Sequence, residues 1–282
     1  MSIDRKKSLL IVPVNDEEAF LIAEIGEKVG MQVYRSKQEH GAKLELENLT
    51  VEDVIDWQNI LIVEMPGPEL EGRLKGVGKN VIVIDHHQYN DLDRAHDEAG
   101  NALPSSLHQF LELAEISDSE LEQLGYDPRL VHGIGYWDSG YFWGLLDAGY
   151  SRDEVDVVEK YKNEIAAQIP DRLPSKEAQE HADQVWENRE EWNGYQVVIS
   201  DEPNIYVRSL VSRLSAREYW KPMPMIIFER AGKRIYVQES SKTNELFEHF
   251  GGFTFGSNRN WGYDNEGEKQ EISLEMIKKF LA

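Results

Sequence analysis

Short apolar runs, each closed by polar residues, alternate with amphipathic segments over the first half of the chain. The runs SLLIVPV, MQVYR, ILIV and VIVI predict four strands, and residues 17–30 predict a helix that ends at a glycine. Apolar runs without alternation are typical of strands buried on both faces, as in a parallel sheet. The pattern therefore predicts an α/β fold with a parallel sheet in its N-terminal part.

From residue 105 onward the apolar spacing becomes helical. The segment SSLHQFLELAEI is amphipathic, capping boxes at Ser117 and Ser151 begin further helices, and 175–192 predicts a long polar helix. A second, smaller set of strands and helices follows, including a hairpin between MPMIIFER and KRIYVQES, a glycine-rich loop over 251–267 and a final helix over 273–281. We therefore expect a domain over 1–170, a helical linker over 171–194 and a smaller α/β domain over 195–282.

Charge and composition limit the class of partner. The 282 residues include 30 Lys and Arg against 52 Asp and Glu, a net charge of −22, and no cysteine. Such an acidic surface repels long nucleic acids but remains compatible with a small phosphorylated substrate held through a cation. Without cysteine there is no disulfide, thiolate metal site or cysteine nucleophile. No apolar run approaches the ~20 residues that span a bilayer, and we expect a cytoplasmic protein without membrane contact.

Polar residues follow three of the predicted strands. SLLIVPV leads into Asn15-Asp16-Glu17-Glu18, ILIV into Glu64, and VIVI into Asp85-His86-His87. Ligands bind at the carboxyl ends of strands in open α/β sheets, and carboxylates with one or two imidazoles suit Mn²⁺ or Mg²⁺. A single acid at such a position is more often a helix N-cap. An Asp-His-His run directly after an apolar strand favours a functional site.

The run VIDHH, together with the downstream segment GIGYWDSGYFWG, resembles the motifs of the DHH phosphoesterase superfamily. In that family Asp-His-His closes a strand, and an Asp-Ser/Thr-x-x-Phe motif follows, matched here by Asp138, Ser139 and Phe142. The resemblance implies a two-domain protein with its active site in the cleft between the domains. It also implies one or two Mn²⁺ ions that activate water to hydrolyse a phosphate ester or anhydride.

The resemblance assigns roles to individual residues. VPVNDEEA corresponds to the family pattern His-x-x-x-Asp-x-Asp-Ala, with Val12 in place of the histidine and Glu18 in place of the second acid. The implied metal ligands are Asp16, Glu18, Glu64, His86 and Asp138, with His87 facing the substrate phosphate and Asp85 orienting the histidines. Because a valine cannot coordinate, we expect one well-formed Mn²⁺ (or Mg²⁺) site and a second that is weak or absent.

The C-terminal segment FEHFGGFTFGSNRNWG resembles a family loop that holds substrate phosphate, although the histidine of that loop is missing here. Its backbone amides and Arg259 are expected to grip an anion. The implied substrate-binding residues are Gly251, Gly252, Ser257, Asn258 and Arg259. A surface loop without a ligand is the alternative.

Three functions are compatible with these residues. The first is a metal-dependent phosphoesterase acting on a small phosphorylated substrate, a nucleotide or short oligonucleotide. The second is a degenerate family member that binds a nucleotide or a partner protein without hydrolysis, as Val12 and the missing loop histidine suggest. Retention of acids at Glu18 and Glu64 favours the first. The third is RecJ-like processing of nucleic acid, which the net charge of −22 disfavours.

Overall fold

The computed structural model describes residues 3–39, 41–89, 92–256, 259–266 and 271–282. The chain forms two compact units, Met1–Leu173 and Pro174–Ala282. Within the described residues, no helix has the length and apolar character needed to span a membrane.

The first unit is built on a four-stranded parallel sheet. Its strands are β1 (Ser8–Pro13), β2 (Gln32–Ser36), β3 (Asn59–Val63) and β4 (Asn80–Ile84), in the order β2-β1-β3-β4. Both β1 and β3 are buried along their whole length, as expected for interior strands covered on two faces. The predicted α/β fold with a parallel sheet is therefore confirmed, and β1, β3 and β4 are neighbours whose carboxyl ends share one edge.

Helices follow the strands and complete the first unit. They are α1 (Glu17–Lys28), α2 (Pro68–Gly76), α3 (Ser106–Leu113), α4 (Asp118–Gln123), α5 (Pro128–Asp147) and α6 (Arg152–Ala166), and a small antiparallel pair, β5 (Gln88–Tyr89) and β6 (Leu92–Asp93), follows β4. The predicted caps are present: Ser105 and Ser117 accept bonds from backbone N–H groups three residues on, and Ser151 forms a full capping box with Glu154. These caps fix where α3, α4 and α6 begin.

The glycine- and aromatic-rich segment around Asp138 lies within α5. The helix is interrupted at Tyr141, whose φ of 57° and ψ of −146° are not helical. After this break a Cβ at Gly144 would lie 2.3 Å from the carbonyl oxygen of Tyr136, so the close return of the chain requires glycine there. Phe142 is fully buried beside the break. Asp138 therefore lies in the last helical turn before the break at Tyr141.

The second unit contains a six-stranded mixed sheet. Its elements are α7 (Lys176–Glu187), β7 (Glu190–Trp192), β8 (Tyr195–Ser200), α8 (Arg208–Tyr219), β9 (Met225–Glu229), β10 (Arg234–Gln238), α9 (Thr243–Phe250), β11 (Phe253–Phe255), β12 (Asn260–Asp264) and α10 (Leu274–Leu281). The strand order is β11-β12-β10-β9-β8-β7, and among the described strands of this sheet only β8 and β9 pair in parallel. The predicted hairpin is β9–β10.

Two segments of the second unit differ from the sequence prediction. The polar helix predicted over 175–192 ends at Glu187, and Trp186 packs in the core of the second unit, because one face of α7 is apolar enough to cover the sheet. The segment predicted as a loop over 251–267 instead contributes β11 and β12. Its glycines concealed these strands: Gly262 is buried and leaves room for the ring of Phe253, which a Cβ would approach to 2.6 Å.

Candidate metal centre

Four side chains from four segments converge at the carboxyl edge of the parallel sheet. Glu18 lies in the first turn of α1 after β1, Glu64 directly follows β3, His86 follows β4, and Asp138 comes from α5. His86 Nε2 lies 2.9 Å from Asp138 Oδ2, 3.3 Å from Glu64 Oε1 and 3.8 Å from Glu18 Oε2. One potential ligand atom from each residue lies within 4.8 Å of the other three.

Glu64 reaches this cluster through an uncommon backbone conformation. Its φ is 48°, in the left-handed region that non-glycine residues rarely adopt. Its N–H still donates to the carbonyl oxygen of Ile84 at 3.0 Å, so the pairing of β3 with β4 continues to this residue. A left-handed residue of this kind costs on the order of 1–3 kcal/mol, and such strain is concentrated at functional positions. The conformation is therefore consistent with a side chain placed for a ligand.

Glu18 is held by a neighbouring helix. Its side chain is 1% exposed, and its Oε1 accepts a hydrogen bond from the backbone N–H of Leu107 at 3.0 Å, in the first turn of α3. The N-terminus of a helix favours negative charge. One oxygen of Glu18 is thus fixed by the protein, whereas Oε2 is directed toward His86.

Three potential metal-ligand atoms of the cluster have no hydrogen-bond partner in the described part of the chain. They are Glu18 Oε2, Glu64 Oε1 and His86 Nε2, and all three are buried. A buried polar atom left unsatisfied costs about 1–3 kcal/mol, so three such atoms at one point require an explanation. A divalent cation bound by carboxylate oxygens and one imidazole nitrogen satisfies all of them at once, and this set of ligand atoms fits Mn²⁺ or Mg²⁺.

The close packing of acids around His86 shifts the pKa values of the cluster. Burial acts to lower the pKa of His86, but the contacts with Asp138 and Glu64 outweigh it and raise that pKa to about 11. Burial and the charges of Asp138 and Glu64 raise the pKa of Glu18 well above its usual value. A proton on His86 therefore compensates part of the carboxylate charge in the absence of a cation, and a bound cation displaces it.

Asp85 holds the second histidine rather than the cluster itself. Its Oδ1 accepts a bond from the backbone N–H of His87 at 3.0 Å and lies 3.1 Å from His87 Nδ1, while Oδ2 accepts from the Tyr89 hydroxyl at 3.0 Å. Asp85 is 2% exposed, whereas the His87 side chain is 49% exposed. The buried carboxylate therefore fixes Nδ1 of a ring that solvent reaches.

Asp16 lies apart from the four-residue set. Its Oδ1 accepts from the backbone N–H of Ala19 at 2.8 Å, which makes Asp16 the N-cap of α1. Burial, followed by the charges of Glu64 and Asp138, raises the pKa of Asp16 to about 8. Val12 is fully buried within β1. Of the five predicted metal ligands, the structure brings together Glu18, Glu64, His86 and Asp138.

The predicted phosphate-binding residues lie in the second unit, where Ser257 and Asn258 fall outside the described residues. Gly251 and Gly252 have φ values of 79° and 85°, and a Cβ at Gly252 would lie 2.3 Å from the carbonyl oxygen of Gly262. The indole N–H of Trp261 donates to the Gly251 carbonyl at 2.8 Å. Arg259 Nε is 3.4 Å from Glu239 Oε2. The two glycines thus have a packing role, and their contact with phosphate remains a prediction.

Residues that the sequence did not single out complete the surroundings. Tyr89 bonds Asp85, and Gln109 Nε2 donates to the Asp85 carbonyl at 2.8 Å. Glu17 is buried and bound by Lys162 and Arg172. Tyr89 stands two residues after the Asp-His-His run, a signal that could have identified it. Nothing in the sequence pairs Glu17 with cations that lie so far along the chain.

No protein-family model and no curated protein in the comparison matches the sequence. Among solved structures, the chain is similar to an exopolyphosphatase-related protein from Bacteroides fragilis, at 12% identity over 98% of this chain and 91% of that one, with a TM-score of 0.49. It is similar to the DHH domain of a member of the s1p family of ribosomal proteins, at 14% identity over 87% and 78%, with a TM-score of 0.47. It is also similar to a pGpG-specific phosphodiesterase from Vibrio cholerae, at 14% identity over 98% and 96%, with a TM-score of 0.46. One of these neighbours is a named DHH domain.

Proposed function

We propose that this protein is a metal-dependent phosphoesterase whose divalent cation is bound by Glu18, Glu64, His86 and Asp138. The observation that carries the proposal is the group of three buried atoms, Glu18 Oε2, Glu64 Oε1 and His86 Nε2, that lack a hydrogen-bond partner among the described residues and face one another beside Asp138. Mn²⁺ suits a set of three carboxylates and one imidazole, and Mg²⁺ is the alternative.

The chemistry follows from what such a cation supplies when bound, namely polarisation of a phosphoryl oxygen and a lowered pKa of bound water. The protein contributes the remaining groups. Burial acts to lower the pKa of His87, but its hydrogen bond to Asp85 and the charge of Glu64 raise it overall. With Nδ1–H donated to Asp85, the charged form of His87 carries a second proton on Nε2, which can be donated to a phosphate oxygen or to the leaving oxygen.

A small phosphorylated substrate, a nucleotide or short oligonucleotide, suits this centre best. The centre is lined by carboxylates, so a phosphate is attracted only after a cation is bound. The overall charge of −22 opposes extended contact with a long polyanion. We further propose that Arg259, Gly251 and Gly252, with Ser257 and Asn258, contact the substrate phosphate.

A second candidate is a protein that binds a nucleotide through the cation without hydrolysing it. The specific observation in its favour is that Asp16 serves as a helix cap apart from the four-residue set, while the buried Val12 offers no ligand atom. In that case the four-residue site would bind phosphate through one cation, but the protein would lack a second metal ion to stabilise the leaving oxygen.

The experiment is hydrolysis by protein stripped with chelator and reloaded with Mn²⁺ or Mg²⁺. The panel contains nucleoside monophosphates, cyclic and linear dinucleotides, short oligonucleotides and pyrophosphate. We expect turnover that depends on the cation and is lost in His86→Ala, whereas His96→Ala, which removes an exposed histidine paired with Asp93, retains it. Turnover that persists in His86→Ala would overturn the proposal. Tight, cation-dependent binding of a nucleotide without turnover would instead establish the second candidate.

A further inference from the structure

Glu17, which lies between Asp16 and Glu18, is bound by two cations. The residue is 4% exposed. Its Oε1 accepts from Lys162 Nζ at 2.8 Å and from Arg172 Nε at 3.2 Å, and its Oε2 accepts from Arg172 Nη2 at 2.7 Å. The arginine therefore grips both oxygens of one carboxylate, the strongest geometry for such a pair.

The two cations that bind Glu17 come from the C-terminal part of the first unit. Lys162 lies in α6, and Arg172 lies in the segment that follows this helix. Lys162 Nζ is also 5.6 Å from the centroid of the Trp137 ring, and Trp137 precedes Asp138 in α5. Both cations thus lie beside the first turn of α1, and Lys162 also lies beside the part of α5 that carries Asp138.

The Arg172 guanidinium lies within the electrostatic field of the metal centre. Burial acts to lower the pKa of Arg172, but its hydrogen bond to Glu17 and the charges of Glu17, Asp16 and Asp138 raise it overall. In turn, the charge of Arg172 acts to lower the pKa of Asp16, against larger effects of burial and of Glu64 and Asp138 that raise it. Arginine remains charged at every pH the protein meets, so this positive charge is permanent.

Five carboxylates belong to the metal centre or stand next to one of its ligands in the chain: Asp16, Glu17, Glu18, Glu64 and Asp138. A single divalent cation balances two of these charges. Lys162 and Arg172 balance two more without occupying a ligand position. Charges buried together are costly unless they are paired, so one cation and two resident basic side chains bring the cluster close to neutrality.

We infer that Arg172, held on Glu17 with the help of Lys162, is a positioning residue that supplies fixed positive charge on the Asp16 side of the metal centre. This inference rests on the proposed function of the four-residue site. Two fixed positive groups, the bound divalent cation and the Arg172 guanidinium, then act on the acids of the centre.

The test is calorimetric titration of Mn²⁺ into the stripped full-length protein, with metal content measured independently after gel filtration. We expect one ion per wild-type chain. Removal of a neighbouring positive charge strengthens the attraction of a cation to the acids, so Arg172→Gln should bind Mn²⁺ roughly tenfold more tightly or take up a second ion. Arg172→Lys keeps the charge and should behave like wild type.

A structural role alone predicts the opposite sign. If Arg172 only braces α1, Arg172→Gln loosens Glu18 and weakens Mn²⁺ binding, and Arg172→Lys, which cannot form the two-pronged contact, weakens it as well. That result would overturn the inference while leaving the phosphoesterase proposal intact. A wild-type protein that binds Mn²⁺ but hydrolyses nothing would overturn the phosphoesterase proposal and leave the inference about Arg172 intact.

Two further variants keep the test decisive if Arg172→Gln does not fold. Lys162→Gln removes the other cation on Glu17 and should tighten Mn²⁺ binding in the same direction, by a smaller factor because it loses a single contact. Arg152→Gln is the matched control: it removes an exposed arginine at the start of α6, roughly 15 Å along the helix from Lys162, and should leave affinity unchanged. Weaker binding in Lys162→Gln would overturn the inference.

Discussion

His86 Nε2 lies 2.9 Å from Asp138 Oδ2, so a residue that follows the edge strand β4 meets one from the middle of α5. The nitrogen has no hydrogen-bond partner in the described part of the chain despite this proximity. An imidazole nitrogen and a carboxylate oxygen placed in this way can serve as two ligands of one cation. Glu18 and Glu64 complete the arrangement, and the predictions below follow from it.

Asp138→Asn should weaken Mn²⁺ binding by at least about tenfold, because it replaces a charged oxygen ligand of the cation by a neutral amide. Isothermal titration calorimetry measures the change. The matched control is Asp147→Asn, which removes an exposed acid from the same helix and should leave the affinity at the wild-type value. Equal affinities in the two variants would remove Asp138 from the ligand set.

Mn²⁺ binding should tighten as the pH rises from about 6 to 8. The pKa of His86 is raised to about 11, so this ring carries a proton in the cation-free cluster, and the raised pKa of Glu18 acts in the same direction. A ligand must lose its proton to coordinate, so binding releases protons and is favoured at higher pH. Titrations in two buffers of different ionisation enthalpy count the protons released. An affinity independent of pH, with no proton release, would contradict this assignment.

Asp85→Asn should reduce turnover while leaving the number of bound ions unchanged. The carboxylate of Asp85 fixes His87 Nδ1, and an amide in its place does not stabilise the charged ring, so we expect a loss of roughly 10–100-fold in kcat. Tyr89→Phe, which removes only the hydroxyl bonded to Asp85, should cause a smaller loss in the same direction. Metal content together with steady-state kinetics separates this effect from damage to the ligands themselves.

Gly252→Ala should destabilise the protein more than Gly194→Ala does. Both glycines have positive φ, at 85° and 80°, which costs alanine about 1–2 kcal/mol. Only at Gly252 does the added Cβ clash, at 2.3 Å from the Gly262 carbonyl oxygen, which adds roughly 1–3 kcal/mol. Denaturant unfolding gives the comparison. Equal losses of stability in the two variants would contradict the packing role of Gly252.

The sequence was most informative where one physical signal dominated. Continuous apolar runs predicted β1, β3 and β4, and the residues that close them include Glu18, Glu64 and His86, because strand ends and site residues coincide in a parallel sheet. Asp138 could be identified only through its resemblance to the Asp-Ser/Thr-x-x-Phe motif, because the helical pattern of α5 does not distinguish this acid from its neighbours.

Other features depended on contacts that no local pattern contains. Asp16 and Glu18 stand two residues apart, yet one caps α1 and the other faces His86, because the first turn of the helix directs them differently. The role of Glu17 depends on Lys162 and Arg172, which only the tertiary fold brings close. In the second unit, Trp261 and Tyr263 are buried in β12, although the surrounding glycines predicted a loop.

The most direct measurement of the central claim is anomalous X-ray diffraction from crystals of the full-length protein soaked in MnCl₂, recorded on both sides of the manganese absorption edge. The account predicts one strong anomalous peak within about 2.0–2.3 Å of oxygen atoms from Glu18, Glu64 and Asp138 and of His86 Nε2. Crystals of His86→Ala should lose most of this peak. A wild-type crystal without a peak at these four residues, or with its manganese bound elsewhere, would contradict the account.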